Sequence, residues 1–176
     1  MELIKCAKLP TDYGETKGPV NDRPRIAVMG IGNLLLKDDG IGIHVVNRLS
    51  SLIDPADVEI IDGGTTPDIF SLINQNIERL IIVDAANGKD KPGTIYRLNM
   101  SDVESNQALP ISLHDMGLSD NLKLLSMLNP QVKSVTIIGI QPADIDYGLE
   151  PPREFQANRE YIFSSHIYNY RGRSQI

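Results

Sequence analysis

The stretch Ile26-Ala-Val-Met-Gly30-Ile-Gly32-Asn33-Leu-Leu-Leu-Lys-Asp38-Asp39-Gly40-Ile-Gly42 decides the fold, because it begins as a buried strand, passes a glycine turn and ends in two carboxylates. A dinucleotide fingerprint, Gly-x-Gly-x-x-Gly, lets a helix N-terminus approach a pyrophosphate. Here the third glycine position is Leu35, and the turn carries Asp38 and Asp39. Negative charge at that place repels phosphate and attracts a metal ion or an electropositive substrate.

Outward from this turn the hydrophobic period switches between strand and helix. Ile26–Met29 reads as a short buried strand, and Ile41–Ile53 carries Val45, Val46, Leu49, Leu52 and Ile53 at helical spacing. Val58–Ile61 is the next strand, Pro67–Asn76 a helix with Thr66 as its cap, and Leu80–Val83 a third strand. Thr94–Leu98 follows a Lys91-Pro92-Gly93 turn and reads as an antiparallel strand. Asp120–Leu128 reads as a helix capped by Ser119, Ser134–Ile140 as a buried strand, and Pro151–Tyr168 as a closing helix. Strands alternating with helices at this spacing predict a three-layer α/β/α sandwich with a mainly parallel, twisted sheet of about five strands, one of them antiparallel. Residues 1–24, with Pro10, Gly14, Gly18, Pro19 and Pro24 among polar residues, read as an irregular leader before a single α/β domain over 25–176.

The chain's 176 residues suit one core. No apolar run approaches the roughly 18 residues of a membrane helix, and the first residues lack the apolar centre of a signal peptide. A net charge of -6 argues against a nucleic-acid partner. Arg171 and Arg173 are the local basic pair and read as a solvated tail. The lone Cys6 makes no internal disulfide and fits a reducing compartment. These features together predict a cytoplasmic protein without membrane association, with a monomer as the default.

In an open α/β sheet, ligands bind outside the carboxyl ends of the strands, where the strand order reverses. The turn after the first strand holds Asp38 and Asp39, and Asp84 ends the apolar run Ile81-Ile82-Val83 at the same edge. Asp39 suits a helix cap and a metal ligand equally. Asp84 has no routine capping duty, which favours a functional role. Of the histidines, His44 reads as a solvated helix residue and His166 as a packing or surface residue. His114, in the connecting stretch Ser112-Leu-His114-Asp115-Met-Gly117, is the one placed to serve a site. Should Asp39, Asp84 and His114 converge, two carboxylates and an imidazole form an N/O set suited to Zn, Ni or another first-row metal, with open positions. The chain lacks HExxH, GxSxG, Cys-x-x-Cys and a phosphate loop.

Taken in order, the turn above, Asp62-Gly63-Gly64-Thr65, Val83-Asp84-Ala85, Ser112-Leu-His114-Asp115-Met-Gly117-Leu118 and Gly139-Ile-Gln-Pro142 resemble the maturation endopeptidases of [NiFe] hydrogenases. The resemblance spans about Arg25 to Tyr168. It implies metal-binding residues at Asp39, Asp84 and His114, and a reaction that removes a C-terminal peptide from the large-subunit precursor after nickel insertion. By that likeness nickel is carried by the substrate as a recognition signal, while Zn or another divalent ion can fill the site in vitro. Water is the expected nucleophile, activated either by the metal or by a carboxylate such as Asp38 acting as base. The family often has Glu where this chain has Asp39, and its members commonly begin near the first strand. Gly63 and Gly64 match the family's mobile glycine loop, and a tight turn after the second strand accounts for them as well. Two rival readings are a non-hydrolytic checkpoint or chaperone for the nickel-loaded large subunit, and a nucleotide-binding domain suggested by Gly30-Ile-Gly32.

Overall fold

Among the described residues, short runs of β-branched and aliphatic residues build five strands: β1 (Ile26–Gly30), β2 (Glu59–Asp62), β3 (Arg79–Ala85), β4 (Ile95–Asn99) and β5 (Ser134–Ile140). A computed structural model describes residues 25–65, 68–104 and 115–149. The sheet order is β2-β1-β3-β5-β4. β1 pairs in parallel with β2 and β3, β3 pairs in parallel with β5, and β4 runs antiparallel to β5. β1, β3 and β5 are buried on both faces, which is why Ile26–Met29 and Leu80–Val83 read as continuous apolar runs and Val135–Ile138 is interrupted by Thr136 alone.

The helices among the described residues are α1 (Ile41–Ser50), α2 (Ile69–Leu72), α3 (Met100–Glu104) and α4 (Asp115–Leu128). α1 buries Ile41, Val45, Val46 and Leu49, an i, i+4, i+5, i+8 stripe, against Val28, Ile81, Val83 and Ile138. On the other face, Ile69 of α2 and Leu122 and Leu125 of α4 pack with Met29, Leu80, Ile82 and Ile137. Two helical layers around one sheet make the α/β/α sandwich. Each fully buried Ile or Leu contributes about 1.5–3 kcal/mol relative to exposure.

Several element boundaries differ from the sequence reading. The helix expected over 67–76 forms only Ile69–Leu72 and is capped by Asp68, whose carboxylate accepts from Ser71 N–H (3.3 Å). Ile73 then turns extended to send its side chain into the core, ending the helix early. α4 begins five residues before the expected Asp120, so Ser119 lies inside the helix and is not its cap. α3, a five-residue helix directly after β4, was not expected. β3 runs to Ala85, so Asp84 sits within the strand. The leader over 1–24, the closing helix over 151–168, Thr66, Pro67, His114 and His166 lie outside the described residues.

Crossover direction positions the site. The β1-to-β2 connection passes through α1 on one face, and the β2-to-β3 connection passes through α2 on the other, so the strand order reverses between β1 and β3. α4 runs antiparallel to β5: its end leads to Lys133, whose N–H bonds Glu78 C=O (2.7 Å) just before β3. Fourteen helical residues span about 21 Å, close to the length of a seven-residue strand, so α4 begins at the carboxyl edge.

Candidate active site

Three glycines let the turn after β1 fold back onto the sheet. A side-chain carbon on Gly42 would lie 2.2 Å from both Ile31 O and Val83 O, and one on Gly30 would lie 2.1 Å from Gly42 O. Gly32 adopts φ +147°, and a side chain there would meet Asp39 O at 2.0 Å. The glycines that look like a phosphate fingerprint thus bring backbone against backbone, seating the start of α1 on the ends of β1 and β3. Ile31 N–H completes the seat by donating to Val83 C=O (2.8 Å).

The residues Lys37–Gly40 form a single 3-10 turn that leads into α1. Asn33 organises its entry: its side-chain oxygen accepts from Leu35 N–H (3.0 Å), and its carbonyl accepts from Leu36 N–H (3.0 Å). Asp39 is 1% exposed and its Oδ2 accepts from Asn33 N–H (3.2 Å). The helix cap of α1 is Gly40, without a side-chain cap bond, so Asp39 does not serve as that cap.

Asp84 is 2% exposed, and its Oδ1 accepts from Ala85 N–H (2.7 Å). By the pleat it shares the face of Leu80 and Ile82, toward α4, while Val83 and Ala85 face α1. The 3-10 turn carrying Asp39 packs on β3, so the two buried acids stand at one edge on adjoining elements. Asp115, the first residue of α4, comes directly after His114 in the chain. Among the described residues no group of three His, Cys, Asp or Glu side chains gathers closely enough to hold a metal ion.

Asp38 has a different duty from its neighbour. It is 6% exposed, and its Oδ2 accepts from both Ala143 N–H (2.6 Å) and Asp144 N–H (3.0 Å). Asp38 N–H in turn donates to Asp144 C=O (3.2 Å), and Lys37 N–H to Gly148 C=O (3.0 Å). Lys37 Nζ bonds the Asp144 carboxylate and holds its pKa below the usual value. Lys37 itself sits at φ 38°, a conformation costing a non-glycine residue about 1–2 kcal/mol, which these bonds offset. One carboxylate oxygen of Asp38, the residue expected as general base, is thus committed to two amides, and the side chain is almost sealed from solvent.

Further polar residues line the same edge. Gln141, 7% exposed, donates from Nε2 to Asn87 Oδ1 (3.3 Å), and its Oε1 lies 3.0 Å from the Tyr96 hydroxyl. Burial, with the nearby Asp90 carboxylate, raises the Tyr96 pKa. Asp62 ends β2 beside Gly30, is exposed, and its Oδ1 accepts from Gly64 N–H (2.9 Å). The glycine loop is tied down by Gly63 N–H to Gly30 C=O (2.8 Å) and Gly32 N–H to Gly64 C=O (3.0 Å). His44, expected to be solvated, is half-buried on α1, and burial lowers its pKa.

Comparison with known proteins gives this edge its context. The family model described as hydrogenase maturation protease (HycI) matches residues 43–158. The hydrogenase 2 maturation protease of Escherichia coli (strain K12) is 37% identical over 134 residues, covering 74% of this chain and 82% of that protein. The chain belongs to the hydrogenase maturation protease family. Its fold also matches the solved hydrogenase maturating endopeptidase HybD from E. coli, with TM-score 0.72 and 31% identity over 85% of this chain and 94% of the other. The [NiFe] hydrogenase maturation protease HybD from Thermococcus kodakarensis matches with TM-score 0.66 and 33% identity over 80% and 95%. As a maturation protease the protein is an endopeptidase, and the nucleotide-binding reading of Gly30-Ile-Gly32 falls away. No helix among the described residues is long and apolar enough to cross a membrane.

The sequence reading quoted Asn33 and Gln141 within its motifs but gave them no role, and it passed over residues 143–148. Asn33 carried a usable signal, since an Asn directly after Gly-x-Gly favours a turn closed by its own side chain. The partners of Asp38 are more than one hundred residues away in sequence, and no local pattern announces them.

Proposed function

We propose that this protease removes the C-terminal extension of a [NiFe] hydrogenase large-subunit precursor after nickel insertion. The observation that carries the reading is the pair Asp39 and Asp84, two acids 1% and 2% exposed at the carboxyl edge between β1 and β3. Burying a carboxylate costs several kcal/mol after relaxation, and a cation at this edge offsets that cost for both. His114, one residue before α4, completes an N/O donor set suited to nickel, and zinc or another first-row ion fits the same set in vitro.

Nickel is cargo of the substrate in this reading, held in the precursor and engaged by Asp39, Asp84 and His114 so that the scissile bond is fixed beside them. Fixing the bond supplies the orientation on which cleavage by water depends. Asp62 has the solvent access that a base for water needs, which the sealed Asp38 lacks. The enzyme works as a cytoplasmic monomer. The test is capture: Asp39→Asn and Asp84→Asn should bind the nickel-loaded precursor no better than the nickel-free form, while the parent separates the two. Equal discrimination by parent and variants would overturn the assignment.

A further inference from the structure

Two adjacent carboxylates in one turn point to different ends. Asp39 bonds back to Asn33, toward β1, while Asp38 bonds forward to Ala143 and Asp144, beyond β5. The forward bonds belong to a continuous clasp. Gly148 N–H donates to Leu35 C=O (3.0 Å), Lys37 N–H to Gly148 C=O (3.0 Å) and Asp38 N–H to Asp144 C=O (3.2 Å), and Lys37 pairs with Asp144. The loop therefore holds the turn through Leu35, Lys37 and Asp38, directly before Asp39, whose own carboxylate ties back to Asn33.

We infer that Asp38 is a positioning residue, whose carboxylate fastens the Pro142–Gly148 loop to the carboxylate turn and so fixes the direction of Asp39. The inference rests on the proposed role of Asp39 in holding the substrate's nickel. What Asp38 needs for this duty is an acceptor oxygen, not a titrating proton. An amide oxygen also accepts two backbone N–H groups, so Asn can replace Asp in a clasp but not in a general base.

The experiment compares Asp38→Asn, Asp38→Ala and the parent on nickel-loaded precursor, with hydrogen exchange at Ala143 and Asp144 as a second readout. Asp38→Asn should keep kcat within about threefold of the parent with an unchanged pH profile, and keep both amides protected. Asp38→Ala should lose at least tenfold in kcat while remaining folded, with exchange at both amides at least tenfold faster. Loss of cleavage in Asp38→Asn equal to that in Asp38→Ala, with amides still protected, would make Asp38 the base and overturn the inference. Parental rates and protection in Asp38→Ala would overturn it as well. A parent that binds loaded precursor without cutting it contradicts the cleavage reading, whereas unprotected amides in the parent contradict the clasp.

Discussion

Asp38 and Asp144 bond each other twice: the Asp38 amide donates to the Asp144 carbonyl at 3.2 Å, and the Asp144 amide donates to Asp38 Oδ2 at 3.0 Å. This reciprocal pair joins the turn after β1 to the loop after β5. Both flank the edge where Asp39 and Asp84 lie, so the geometry of that edge depends on residues from distant parts of the chain.

The glycine seat makes a prediction about stability. Gly42→Ala places a carbon 2.2 Å from two carbonyl oxygens of the backbone, where neither side can yield cheaply. Thermal unfolding should show a loss of about 1–3 kcal/mol or more, or no folded protein. A melting temperature equal to that of the parent would refute the backbone-on-backbone account.

Removing charge at the buried acids should separate activity from folding. Asp39→Asn and Asp84→Asn keep shape and an acceptor oxygen, so far-UV circular dichroism should match the parent. Precursor processing should fall at least a hundredfold, about 2.7 kcal/mol in the barrier. Either variant cutting at the parental rate would contradict their role at the site.

Proton linkage predicts weakening in acid, with two windows. His44 has a folded pKa lowered from 6.5 by burial, so the unfolded chain binds the proton first and stability falls as pH drops below about 6.5. Asp144 has a folded pKa lowered from 3.8, chiefly by its bond from Lys37. Its contribution is complete above about pH 4 and is lost as pH falls through the folded value. Urea midpoints measured from pH 8 to pH 3 should therefore decline, and His44→Gln should flatten the upper part of the decline. A parental slope in His44→Gln would contradict the assignment.

Core packing supplies a control away from the site. Ile82 is fully buried among Met29, Ile137 and Leu122, and Ile82→Ala should cost about 2–5 kcal/mol in denaturant unfolding. A loss below 1 kcal/mol would mean that the α4 face of the sheet is looser than its contacts imply.

The strands and the two-sided burial were legible in the sequence because Ile26–Met29 and Leu80–Val83 are continuous apolar runs, and Val135–Ile138 one broken by Thr136 alone, bounded by polar and turn residues. The antiparallel β4 was legible from the Lys91-Pro92-Gly93 turn. α2 was overestimated because Ile69, Phe70, Leu72 and Ile73 keep helical apolar spacing although Ile73 has already left the helical conformation, and packing into the core decides that point. Asp39 was picked out in the turn after the first apolar run and Asp84 at the end of the third, and both are buried. Asp38 could not be separated from Asp39, because what distinguishes them is a loop more than one hundred residues away.

The most direct test of the central claim is intact mass spectrometry of the large-subunit precursor after incubation with this protein, in nickel-loaded and nickel-free forms. The account predicts loss of a C-terminal peptide from the loaded precursor only. Cleavage of both forms alike, or binding of the loaded form with no change in mass, would contradict a nickel-gated endopeptidase.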